Sequence, residues 1–333
     1  MIRANMEPFA SSPGRASALR GRDGELAAVE QHIAATRHGN GGVLLIEGQA
    51  GHGKTRMLAE IAMIAARDSM RVGYGAVAPG SHVAPMDALL TAMFDGPAPL
   101  IDRSVLRALP EQRYWLLDQL ESLLERTALE SPLLFLLDDM QWADHNCHSA
   151  MRTLPARLLG LPILWLFAFR GDQVSAEMRD VCEALEEAGA QRFVLGPLEE
   201  PAIGQIANDL LGGTPNTDLL TLMEGAHGSP FLLVELLRGL LEDRLVRAVS
   251  GTVELVEPRL PSRVRDGMRD RLDQMSFDAR KVAQVASILG GSIRFGWLAA
   301  MLDISPSALL GPVDELRRAG LLADIDGELA FQH

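Results

Sequence analysis

Gly48, Gly51, Gly53, Lys54 and Thr55 stand in the order and spacing of a loop that cradles phosphate, GQAGHGKT at positions 48–55. Glycines tolerate positive φ, so such a loop can turn tightly and aim its N–H groups inward. The N-terminus of a following helix completes an anion site. A lysine at this place reaches β- and γ-phosphates, and the adjoining hydroxyl residue can hold Mg²⁺. His52, within the loop, and Arg56, just after it, join the candidate nucleotide contacts. Lysine occurs only at positions 54 and 281. Lys54 is therefore a point charge kept where the planar fork of an arginine would not serve.

A second pattern lies further along. The apolar run Leu133 to Leu137 ends in Asp138-Asp139, a Walker B pattern. The first acid is placed to hold a Mg²⁺ shell, and the second to orient water or act as general base. Another apolar run, Ile163 to Phe169, ends at Arg170. The carboxyl ends of parallel strands line the ligand crevice of such sheets, and an arginine there can hydrogen-bond a γ-phosphate. The expected catalytic set is Lys54, Asp139 and Arg170, with Thr55 and Asp138 for the metal. Asp144-His145-Asn146-Cys147-His148 has metal-ligand residue types but is too crowded for structural zinc spacings. Asp144 is instead expected to cap the next helix. Arg259, Arg263, Arg265, Arg269 and Arg271 interleave with Asp266, Asp270 and Asp273, which reads as a self-compensating helix face.

These groups need strands and helices to hold them. Strands are expected at 43–46, 72–77, 133–137, 163–169 and 192–195. Between them lie helices, the first with Leu26, Val29 and Ile33 on its apolar face. Alternating strands and helices imply an α/β αβα sandwich with a mainly parallel sheet covered on both faces. After Gly196-Pro197 the pattern is helical to about Arg247, broken at Gly212-Gly213 and Gly228-Ser229-Pro230. Beyond Pro258 and Pro261 come helices at about 262–275, 278–289, 294–302 and 306–319. Two extended pieces then follow, joined by Asp326-Gly327, which suggests a winged helix. The expected divisions are a flexible N-terminal arm at 1–18, a nucleotide-binding domain at 19–196, a helical lid at 197–257 and a winged-helix domain at 258–333. The chain stops at His333 inside an expected strand, which suggests that a longer protein has been cut there.

The totals bound the class. A chain of 333 residues with 47% hydrophobic and 23% charged content is ordinary for a globular protein of roughly two or three domains. Its net charge of −13 argues against a surface built to coat nucleic acid. Cys147 and Cys182 are too few for a disulfide framework, so a cytoplasmic setting is expected. The first eighteen residues lack a signal-peptide core. No apolar run approaches the roughly 20 residues needed to span a bilayer.

In order, LRGRDGELAAVEQHI, GQAGHGKT, LLFLLDDMQWAD, LFAFR, HGSPFLLVELLRGL and LAFQH resemble the large ATP-binding regulators of the LuxR type, in the STAND class of P-loop ATPases. The resemblance implies a P-loop domain, a helical lid and a winged helix, followed in full-length members by a helical repeat sensor and a C-terminal helix-turn-helix. It implies a switch that ADP holds closed, and that ATP with an inducer or regulatory protein opens for self-assembly and transcriptional control. Hydrolysis is then slow and resets the switch. DNA would be reached only through the helix-turn-helix, which this chain does not contain. By the same resemblance Arg22 lies near the nucleotide, Pro230 near the adenine and His333 near the ADP β-phosphate. Gln332 stands where the family more often has arginine.

The leading expectation is thus an ATP/ADP-dependent regulatory switch with slow ATP hydrolysis. The alternative is a DNA-binding initiator-like AAA+ ATPase that grips DNA through its winged helix. A small-molecule kinase is a third possibility, opposed by the long helical extension.

Overall fold

The computed structural model describes residues 18–78, 80, 86–95, 99–102, 116–290, 292–325 and 328–331. The N-terminal arm up to residue 17, the Asp326-Gly327 turn and His333 lie outside them. The chain divides into two compact units, Met1–Gly196 and Pro197–His333.

The first unit carries five parallel strands: β1 (Gly42–Gly48), β2 (Arg71–Ala76), β3 (Leu133–Asp138), β4 (Ile163–Phe169) and β5 (Gln191–Leu195). They lie side by side in the order β2-β3-β4-β1-β5. Its helices are α1 (Asp23–Arg37), α2 (Lys54–Arg67), α3 (Asp87–Phe94), α4 (Leu116–Glu130), α5 (His145–Arg157) and α6 (Ala176–Glu187). Every residue of β3 and β4 is buried, as in strands covered on both faces. Alternate residues divide between two cores. Leu134, Leu136, Leu164 and Leu166 pack with α1 and α2 through Val29, Ile33, Met57, Leu58 and Ile61. Leu133, Phe135, Leu137, Trp165 and Phe167 pack toward α3 to α6 through Leu89, Met93, Leu124, Leu154 and Leu185. Phe135 and Trp165 stack across β3 and β4 with ring centroids 4.5 Å apart.

Two local features explain close packing and helix starts. A Cβ at Gly75 in β2 would lie 1.9 Å from the Ala88 carbonyl oxygen, so α3 rests directly on the strand backbone. Asp144 and Ser175 cap α5 and α6, their side chains accepting from the N–H groups of Cys147 and Met178. The Asp144 cap matches the sequence reading, and α5 begins directly after it at His145.

The second unit contains α7 (Glu200–Leu211), α8 (Thr217–Glu224), α9 (Pro230–Glu242), α10 (Ser262–Asp273), α11 (Phe277–Leu289), α12 (Phe295–Leu302) and α13 (Pro306–Arg318). The expected helices past Pro261 are all present. The stretch from 197 to about 247, however, is not wholly helical. Strands β6 (Thr214–Pro215), β7 (Val246–Val249) and β8 (Thr252–Leu255) form a small sheet in the order β6-β8-β7. The cause lies in Ser250-Gly251, both at positive φ (51° and 85°), with Val249 opposite Thr252. That is a two-residue hairpin turn of the primed type, whose twist suits antiparallel strands. A second sheet joins β9 (Ser292–Ile293), β10 (Leu322–Ile325) and β11 (Glu328–Phe331) in the order β10-β11-β9.

The interleaved arginines of α10 also depart from expectation. Arg263 pairs with Glu235 at 2.6 Å and Glu242 at 3.0 Å, both on α9, and Arg271 lies over the Phe231 ring at 5.8 Å. Packing against a neighbouring helix supplies these partners instead of the helix's own aspartates.

Among the described residues, no helix is long and apolar enough to cross a membrane.

Candidate functional site

The strand order brings the motifs together. β4 lies between β1 and β3, so the carboxyl ends of three adjacent strands carry the glycine loop, Arg170 and Asp138-Asp139. This is the edge at which open parallel sheets bind ligands.

The loop after β1 turns as its glycines suggest, with Gly51 at φ 80° and Gly53 at φ 87°. Gly48 differs: it ends β1 with no positive φ, and a Cβ there would lie 3.2 Å from both Cβ and O of Leu195 on β5. The tight feature at this glycine is the close approach of a strand, not loop conformation. Lys54 is buried and donates to the carbonyls of Gly48 at 2.7 Å and Gln49 at 3.0 Å. Burial pushes its pKa down, as does the Arg170 charge, against the pull of Asp138, Asp139 and Asp172. Its donors therefore sit inside the loop that would receive phosphate oxygens.

Thr55, in the first turn of α2, donates from Oγ1 to Asp138 Oδ2 at 2.6 Å. The other Asp138 oxygen accepts from the Asp139 N–H at 2.9 Å. Tyr74 on β2 also hydrogen-bonds Asp138, and burial together with the two aspartates pushes the phenol pKa far up. Asp138 is itself shifted above the usual carboxylate range, by burial first, with Asp139's charge adding and the Thr55 hydrogen bond opposing. A buried carboxylate beside a hydroxyl is oxygen chemistry suited to a hard cation.

Asp139 leaves the strand at φ 54°, in the left-handed region that an aspartate tolerates better than most residues. Its Oδ1 accepts from Gln141 Nε2 at 2.9 Å and lies 3.8 Å from Arg170 Nε. Arg170 Nε is buried, and at that distance it has no hydrogen-bond partner among the described residues. Gln141 sits in the 3-10 turn Met140–Trp142 and is only 6% exposed. Its Oε1 accepts from the Arg170 N–H at 3.0 Å. The sequence reading had not singled out this residue. Its only signal was a place inside DDMQWAD.

The remaining candidates fall around the same edge or elsewhere. His52 Nδ1 is 2.8 Å from the Leu195 carbonyl. Burial lowers its pKa, aided by the charges of Arg22 and Lys54. Arg22 is buried, donates to the Gly196 carbonyl and pairs with Glu25 at 3.6 Å. Both residues thus attach to the end of β5. Arg56 pairs along α2 with Glu60 at 2.9 Å. Pro230 belongs to the second unit, where it opens α9 behind the Ser229 cap. The His333 assignment lies outside the described residues. His145 bonds Glu177 through Nδ1, and His148 Nδ1 is 3.3 Å from the same carboxylate. Among the described residues no group of three side chains is arranged to hold a metal ion.

Residues 18–166 match the family described as AAA ATPase domain. That stretch includes Arg22, the glycine loop and Asp138-Asp139, and it ends before Arg170. Across the whole chain the fold is similar to the Walker-type ATPase paby2304 of Pyrococcus abyssi, at TM-score 0.60 and 13% identity, covering 97% of each chain. The ORC2 protein of Aeropyrum pernix, solved in ADPNP-ADP complexes, is similar at TM-score 0.54 and 18% identity over 96% of this chain and 92% of that one. Cdc6p from Pyrobaculum aerophilum gives 0.51 and 14% over 96% and 92%. At these identities the likeness is one of fold. No curated protein matches the sequence. The first unit thus has the five-stranded parallel sheet and flanking helices of P-loop ATPases.

Proposed function

We propose that this chain is an ATP- and ADP-binding regulatory switch with slow ATP hydrolysis, the nucleotide-sensing part of a LuxR-type transcriptional regulator of the STAND class. One observation carries the reading: Lys54, the Thr55–Asp138 pair, Asp139 and Arg170 converge at the ends of three neighbouring strands. The ADPNP and ADP held by the ORC2 protein support nucleotide as the ligand. The motifs quoted above support the STAND assignment. Residues 197–257 would serve as the lid and 258–333 as the winged helix.

In this reading Gly48, Gly51, His52, Gly53, Lys54, Thr55 and Arg56 surround the phosphates. Arg22 holds the edge of the site, and Pro230 and His333 are added to the nucleotide contacts by the resemblance alone. The donor set fits a magnesium nucleotide, because a hydroxyl and a carboxylate already share one point and an arginine nitrogen there has no hydrogen-bond partner among the described residues. Mg²⁺ held by Thr55 and Asp138 would neutralise charge on the phosphate oxygens. Lys54 exchanges its bonds to the Gly48 and Gln49 carbonyls for phosphate oxygens. Asp139 orients a water and takes its proton as the water oxygen bonds to the γ-phosphorus. The bond to the ADP oxygen breaks, and Arg170 steadies the negative charge on the transferred group. A nucleotide shifts such a switch only by its differential affinity for the two forms.

Titration with ATP and ADP, with mass spectrometry of any co-purifying nucleotide, tests the reading. Binding of both, abolished in Lys54→Ala, is expected, together with slow release of phosphate from ATP. Failure to bind either nucleotide would end it.

A second reading, an initiator-like ATPase that grips DNA, is favoured by the fold likeness to the ORC2 and Cdc6p proteins. Against it stand the net charge of −13 and the pairing of Arg263 with α9. DNA affinity that falls steeply with salt would revive it.

A further inference from the structure

Gln141 is the buried polar residue whose two ends both meet the candidate site. Its amide nitrogen faces Asp139 Oδ1 at 2.9 Å, and its amide oxygen faces the Arg170 N–H at 3.0 Å. The orientation of the amide is determined by its partners. A main-chain N–H can only donate and an ionised carboxylate can only accept, so the flipped amide would lose both bonds. Only a side chain with one donor and one acceptor at its tip fits this gap. Glutamate would keep the Arg170 contact and set a second carboxylate against Asp139. An apolar side chain of the same length would lose both.

The backbone holds the bridge in place. Asp139 takes its left-handed turn, and Trp142 N donates back to the Asp139 carbonyl at 3.1 Å. The residue two positions on is thereby returned toward the acid it follows. Its far anchor is main chain at the end of β4, a fully buried strand, so the carboxylate is referred to a rigid point and not to a mobile side chain.

We propose that Gln141 is a positioning residue that fixes the Asp139 carboxylate by tying it to the main chain of Arg170. This rests on the reading of the site as an ATP hydrolase with Asp139 as its water-orienting acid. The hydrogen bond to Oδ1 directs the second oxygen, Oδ2, to the attacking water.

The test uses the full chain as wild type, Gln141→Met and Gln141→Glu. ATP hydrolysis is measured with Mg²⁺ at neutral pH, resolving kcat from KM, alongside binding of a fluorescent ADP analogue. Gln141→Met is expected to lower kcat about tenfold, within the range by which positioned acid–base groups act. KM and ADP affinity should change less than about twofold, as for a group acting only on the chemical step. Gln141→Glu keeps an acceptor for the Arg170 N–H but offers Asp139 no donor, and should lower kcat at least as much with KM and ADP affinity again little changed. Should Gln141→Met fail to fold, the near-isosteric Gln141→Glu carries the same test through its kcat-against-KM split. A wild-type kcat in the variants would overturn the proposal. So would a parallel loss of ADP binding and kcat, the mark of a merely structural residue. A wild type that binds no nucleotide would instead overturn the hydrolase reading itself, before any variant is compared.

Discussion

Thr55 Oγ1 and Asp138 Oδ2 are 2.6 Å apart, joining the first turn of α2 to the end of β3 across 83 positions of sequence. The hydroxyl and the carboxylate that would share a cation already share a proton. The bond ties the glycine loop to the second motif, and it must be exchanged when a cation takes both oxygens.

That exchange has a pH signature. Burial holds the Asp138 carboxyl above its ordinary range. A carboxyl that binds its proton more readily folded than unfolded adds stability below the unfolded pKa, and the gain is lost as pH rises through the folded value. Nucleotide-free protein should therefore become less stable as pH rises across that window. Binding of Mg²⁺ with nucleotide should release protons there. Calorimetry in buffers of different ionisation enthalpy reads the release directly. In Asp138→Asn the release should vanish, and thermal stability without nucleotide should rise at neutral pH. Equal proton release in the variant would refute the assignment.

Arg170 separates the two nucleotides. Its buried Nε lies 3.8 Å from Asp139 Oδ1 without a hydrogen bond, which leaves it able to meet a γ-phosphate. Arg170→Ala should lower ATP affinity by roughly tenfold or more, the worth of a charge-assisted hydrogen bond, and leave ADP affinity nearly unchanged. Paired titrations check this, and equal losses for both nucleotides would count against a γ-phosphate contact.

Gly75→Ala should be severely destabilising. The added Cβ would stand 1.9 Å from the Ala88 carbonyl oxygen, and neither a β-strand nor the start of α3 can yield that distance cheaply. Overpacking of this kind costs about 1–3 kcal/mol and sometimes more. Urea unfolding of the variant measures it, and a wild-type midpoint would show that α3 moves away freely.

Asp144→Ala removes the cap that accepts from Cys147 N at 2.8 Å. A loss of about 1 kcal/mol is expected, readable by the same unfolding measurement. Because the capped helix packs onto β3 and β4 through Leu154, nucleotide affinity should be little affected. A change confined to affinity would mean that Asp144 acts on the site.

Much of the fold was legible because its signals are local. Leu133 to Leu137 and Ile163 to Phe169 read as strands buried on both faces, and they are. Asp144 read as a cap from its place before a helical pattern. The β7–β8 hairpin was missed because Val246 to Leu255 alternates only weakly and Ser250-Gly251 was not read as a turn. Gly48 was credited with loop conformation, whereas what crowds it is the neighbouring β5. Gln141 was missed because nothing local marks a glutamine whose partners are an aspartate two positions back and a main-chain N–H 29 positions on.

By itself the amino-acid sequence determined the chemical inventory: a glycine loop with one lysine and one threonine, a pair of aspartates and an arginine, each at the end of a stretch that had to be a strand. Those are properties of periodicity and of single residues. Only the tertiary structure decided that β4 enters between β1 and β3, which sets Arg170 beside Asp139 and leaves a gap that one amide fills. Strands buried on both faces carry no alternation to specify their neighbours. Their order follows from how helices and strands pack together, and the site is a consequence of that order.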